Sequence, residues 1–158
     1  MQFVNGTLNR IIPFRLFPGE DVFESIGAIC KQEQIDAGII LTAVGSLDGV
    51  RFCDVETLPE KKCGCGYGQI FTWDGLFELL SISGIIGKET SGNLNLHLHY
   101  TFADKAGHVF GGHMVEGNLV KMTVEGAIGV FDGVAMTRKY DPEQDINVLE
   151  PRETATKP

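Results

Sequence analysis

Residues 94–114 read LNLHLHYTFADKAGHVFGGHM, and this stretch decides the fold. From Leu94 to Ala103 side chains of two kinds alternate, the period of a strand with one face in a core. Leu94, Leu96, Leu98 and Tyr100 take the apolar face. His97 and His99 share the other, with Cα atoms roughly 6.5–7 Å apart. Gly107 is placed for the left-handed position that closes a three-residue hairpin loop, Lys105-Ala106-Gly107. Asp104 then pairs with His108. Continuing that count sets His113 directly opposite His99, where Cβ atoms are about 4.5–5.5 Å apart, and makes His97 its diagonal neighbour. The same count sends His108 to the opposite face, beside the turn. A slip of one residue would undo the convergence, because it moves His113 to the far side of the ribbon.

Three convergent neutral imidazoles suit Zn²⁺ at about 2.0–2.1 Å and leave a fourth position open for water or a small ligand. Other divalent transition metals accept the same nitrogen donors, and the sequence does not rank them. The ordinary reading of two histidines in alternation is a hydrogen-bonded surface pair. What favours ligation is the third histidine, which arrives from an independent count around the turn. Gly111 and Gly112 give a ligand or backbone close access next to His113.

Upstream, Val22, Phe23, Ile26, Ile29 and Cys30 form one helical stripe, which predicts a helix from about Glu20 to Gln34. Glu20 and Asp21 in its first turn and Lys31 near its end suit the helix dipole. Residues 8–16 read as a strand whose Pro13 belongs on an edge or at a bulge. Residues 39–44 read as a buried strand, and 50–58 as a less regular one. The Leu58–Gly68 segment reads as a loop. Residues 69–73 and 76–83 read as strands around an Asp74-Gly75 turn. A further strand covers 119–131. One helix among many short strands gives an α+β class with a largely antiparallel sheet. The polar stretch from Asp141 onward has little to bury, so residues 144–158 read as a tail, partly disordered or pinned to the surface.

Composition narrows the function. The 158 residues carry 21 acids against 13 bases, a net charge of −8. Such a surface repels phosphate, which disfavours direct DNA binding and anionic membranes. No apolar run reaches bilayer length, and MQFVNGTLNR lacks the features of a signal peptide. Cys30, Cys53, Cys63 and Cys65 do not form a secreted-type framework, so the expected compartment is the cytosol. Cys63-Gly64-Cys65 lacks the CxxC spacing of common metal sites and reads as incidental thiols in a loop. Glu78 alternates with Leu76, Leu80 and Ile82, and an acid on an apolar face is a candidate general base.

Several stretches together resemble the plants and prokaryotes conserved (PPC) domain. They are RLFPGEDVFESIGAICKQEQIDAGIILTAVGSL (15–47), GLFELLSISG (75–84), NLHLHYTFADKAGHVFGGHMVEG (95–117) and MTRKYDP (136–142). The most specific elements are His97, His99, Gly111, Gly112 and His113, which resemble the prokaryotic branch. The likeness runs from about residue 8 to 143, as a single domain. It implies an antiparallel α+β fold, a homotrimer and a metal held by the three histidines. It also implies the DNA-binding label such proteins often carry, although the Arg-Gly-Arg-Pro core of an AT-hook is missing here. The expected function is therefore a homotrimeric metal-binding protein, with turnover undecided. The alternatives are a DNA-associated regulatory module and a non-catalytic small-molecule binder.

Overall fold

The computed structural model describes residues 1–155. Its elements are β1 (Thr7–Leu16), α1 (Val22–Gln32), β2 (Gly38–Thr57), β3 (Cys65–Glu89), β4 (Leu94–Ala103), β5 (Val109–Met114), β6 (Leu119–Asp132), β7 (Val134–Asp141) and β8 (Ile146–Glu153). They form one sheet in the order β1-β6-β2-β5-β4-β3-β7-β8. A further pairing of β2 with β3 closes the β2-β5-β4-β3 part on itself. Every ladder is antiparallel except a short parallel one between β3 and β7. The α+β reading therefore holds, with one helix against a mostly antiparallel sheet.

The helix forms where its apolar stripe predicts. Asp21 caps it, accepting from the backbone N–H of Glu24 at 2.9 Å. Val22, Ile26 and Cys30 are buried, and Phe23 and Ile29 pack against the same core. The helix lies over β4, where a Cβ on Gly27 would sit 3.7 Å from Leu96. The core beneath holds Leu98, Phe102, Met114, Val124 and Ile128, all fully buried. Pro13 lies on β1, the edge strand, where its missing N–H removes no ladder bond to a further neighbour.

Three expectations change. Asp74-Gly75 is not a hairpin turn. β3 runs unbroken for 25 residues, and β2 pairs with it on both sides of this point, Trp73 with Val50 and Leu76 with Asp48. Two residues stand there against one, which is a β-bulge. Gly75, at φ 125°, does occupy a glycine-favouring conformation, but that conformation bends a strand rather than reversing the chain. Likewise, the separate strands at 39–44 and 50–58 are one strand of 20 residues. Finally, part of the expected tail is structured. Residues 146–153 pair in register with β7, from Ile146 opposite Asp141 to Glu153 opposite Val134. Their polarity is that of a ribbon held by backbone hydrogen bonds more than by burial. The rest of that tail reading, from residue 156, falls outside the described residues.

Candidate metal centre

The hairpin between β4 and β5 forms as its turn chemistry dictates. Gly107 takes φ 82°, its N–H donates to the Asp104 carbonyl at 3.0 Å, and the Asp104 N–H donates to the His108 carbonyl at 3.0 Å. The Asp104 carboxylate accepts from the N–H groups of Ala106 and His108 at 2.8 and 2.9 Å, locking the three-residue loop. The register that follows puts His99 opposite His113 and Tyr100 opposite Gly112. His108 stays by the turn, its Nδ1 3.0 Å from Asp104 Oδ2, outside the cluster.

His97, His99 and His113 converge on one face. Their ring centroids are 5.0 Å apart for His97 and His99, and 5.2 Å for each of the other two pairs. One nitrogen from each ring lies within 4.8 Å of the others. The Nε2 atoms of His97 and His99 are 3.1 Å apart. Among the described residues no carboxylate or thiol joins this group.

Three further residues surround it. The Tyr67 hydroxyl lies 3.2 Å from His97 Nε2, and its ring is 4.2 Å from that of His113. Arg138, on β7, contacts His97 Nδ1 through its guanidinium. Cys53 of β2 is buried and stands opposite His113 in the ladder with β5. The sequence reading missed all three. Tyr67 lies at the head of a strand read as loop. Cys53 and Arg138 arrive through pairings with partners 60 and 49 residues away along the chain, which no local signal reveals.

The electrostatics favour neutral imidazoles. Burial, with the charges of Arg138, His113 and His99, pushes the His97 imidazole down to about 4. Burial also lowers His113, helped by His99 and Arg138. Burial and the neighbouring Cys53 raise the Tyr67 hydroxyl. Among the described residues, His113 Nδ1 is a buried nitrogen without a hydrogen-bond partner. An orphaned imidazole nitrogen beside two further imidazoles is a donor set that fits a borderline divalent cation.

Glu78 lies elsewhere. It is exposed and pairs with Ala103 and Ser46. Ala103 is four residues along β4 from His99, roughly 13 Å at strand rise. Cys63 and Cys65 flank an exposed turn, with the Cys63 thiol 3.0 Å from the Cys65 carbonyl.

The domain family described as Plants and Prokaryotes Conserved (PCC) matches residues 4–132. The chain belongs to this family. The PCC chain is 31% identical over 138 residues to the bifunctional protein GlmU of Synechococcus sp. (strain JA-2-3B'a(2-13)), a match to 84% of the chain. It spans only 19% of the length of the curated relatives it matches. Among solved structures, a plant- and prokaryote-conserved (PPC) protein of Pyrococcus horikoshii is 28% identical, with a TM-score of 0.79 over 98% of this chain and 100% of that one. A metal-containing protein of Archaeoglobus fulgidus is 22% identical, with a TM-score of 0.81 over 95% and 99% of the two chains. That second likeness shows the shared PCC fold. Among the described residues no helix is long and apolar enough to cross a membrane.

Proposed function

We propose that this PCC protein is a homotrimer that binds a divalent transition metal, Zn²⁺ first among the candidates, on His97, His99 and His113. The observation that carries this reading is the convergence of three ring nitrogens within 4.8 Å with no carboxylate among them. Three neutral imidazoles leave an open position for water or a small ligand. A metal there would supply Lewis acidity and a water acidified to near neutrality. The chain's own contribution is to hold His97 and His113 half-buried and neutral, with the Tyr67 hydroxyl beside His97. A general-base role for Glu78 would need a substrate long enough to run down β4. The similar Archaeoglobus protein is called metal-containing, which supports the reading.

The trimer is supported by large apolar side chains left exposed on neighbouring strands, including Leu41, Val44, Leu80 and Met122. The cytosol remains the compartment that suits four free cysteines. A direct DNA-binding role has the net charge of −8 against it.

Elemental analysis of protein purified without a histidine tag tests the metal reading. The expected result is close to one equivalent per chain, lost in His97→Ala. Less than about a third of an equivalent, unchanged by that substitution, would overturn it. Light scattering coupled to gel filtration tests the trimer, with three times the chain mass expected.

A further inference from the structure

Arg138 meets His97 in a way that bears on how the site is loaded. A guanidinium has five N–H donors and no acceptor. Since it contacts Nδ1 of His97, that nitrogen must carry the lone pair, and the ring proton must sit on Nε2. Nε2 is the nitrogen turned toward His99 and Tyr67, at 3.1 and 3.2 Å. A metal ligated there needs the lone pair on Nε2 and the proton on Nδ1, where it would be donated to an acceptor. Arg138 offers none. Arg138 and a metal therefore cannot hold His97 at the same time.

The strand that carries Arg138 can yield. Among the described residues, β7 joins the rest of the sheet through two ladder pairs, Thr137 with Lys88 and Arg138 with Glu89, and otherwise pairs with β8. The other arm of the guanidinium donates to the Asn147 carbonyl at 3.0 Å, within the same ribbon. A displaced guanidinium beside a divalent cation on three neutral ligands gathers positive charge. The ligand group holds no carboxylate among the described residues to offset it. An oxyanion would, since carboxylates and phosphates match the guanidinium fork.

We propose that Arg138 is the positioning residue that gates this site: it competes with the metal for His97, and an oxyanion bound by its guanidinium lifts the competition. The ligand class of the loaded site is then a small carboxylate or phosphate. This proposal rests on the metal reading above, and the test separates the two.

The test is cobalt(II) binding by the full chain, followed by visible absorption, at constant ionic strength in chloride, acetate or inorganic phosphate. Wild type is expected to bind about tenfold more tightly in acetate or in phosphate than in chloride, and whichever anion acts identifies the ligand. Arg138→Gln, whose amide oxygen can accept from Nδ1–H, is expected to bind about tenfold more tightly than wild type in chloride and to gain nothing from either anion. Arg138→Lys, still a donor only, should match wild type in chloride. If Arg138→Gln does not fold, Arg138→Met serves the same comparison. Equal or weaker binding by the neutral variant in chloride would overturn the proposal, as would a wild-type affinity indifferent to the anion. Absence of cobalt absorption from every protein would instead overturn the metal reading itself.

Discussion

Tyr100 and His99 are neighbours in the chain and point to opposite sides of β4. On the inner side the Tyr100 hydroxyl donates to Asn118 Oδ1 at 2.8 Å. The same oxygen accepts from the Arg51 N–H at 2.9 Å, and the Asn118 amide donates to the carbonyls of Arg51 and Val115 at 3.0 and 2.6 Å. Asn118 is fully buried, and its amide oxygen and nitrogen are both engaged. On the outer side three imidazoles face one another, and His113 keeps a buried nitrogen without a partner among the described residues. The contrast separates two uses of buried polarity. A network whose donors and acceptors are all paired holds a fold together. A cluster that leaves donors unpaired is waiting for something else to complete it.

The comparison can be broken in four ways, taken from the largest expected effect. Phe102 is fully buried and meets the rings of Tyr100, Phe52, Phe77, Trp73 and Phe110 at 5.0–6.0 Å. Phe102→Ala should cost about 3–5 kcal/mol in denaturant unfolding. Asn118→Ala should cost about 2–4 kcal/mol, because it takes the partner from the Arg51 N–H and from the Val115 carbonyl and leaves the Tyr100 hydroxyl and the Arg51 carbonyl only each other. A cost near zero would mean that the inner network is not structural. His99→Ala removes an exposed ring from the other face. It should change metal-free stability by less than about 1 kcal/mol while removing most of the bound metal. A large stability loss without metal would place the histidines with the core instead.

The smallest effect concerns pH in metal-free protein. His97 titrates at about 4 in the folded chain and His113 is also lowered, whereas an unfolded histidine takes its proton near about 6.5. Between those values the unfolded chain binds more protons, so stability rises with pH. The contribution is present above about 6.5 and is lost as pH falls toward 4. Urea midpoints at pH 7 and pH 5, with chelator, should show this drop, and His97→Gln should flatten it. With metal present the same imidazoles must stay neutral to ligate, so occupancy should fall over the same acidic range.

Much of the candidate centre was legible because its three histidines are close in the chain. Alternation placed His97 and His99 on one face, and a turn of fixed length carried the register across to His113. Both signals act within a few residues, where chain geometry leaves few alternatives. The helix was legible for the same reason, since its stripe and its Asp21 cap are local. The long β2–β3 pairing was not. Asp74-Gly75 has the chemistry of a hairpin turn, and only the partner strand running past both sides of it makes it a bulge. The ribbon of β7 and β8 was also hidden, because its alternate residues cover no deep core and so leave no hydrophobic period.

The sequence alone therefore determined the helix, the β4–β5 hairpin with its register, and the set of three imidazoles. Each follows from interactions between residues a few positions apart. Tertiary structure decided what surrounds those rings: Tyr67 beside His97 and His113, Cys53 opposite His113, and Arg138 on His97. These neighbours come from strands tens of residues away. Their approach is set by pairing and closure of the whole sheet, and that depends on every strand at once rather than on any short run of residues.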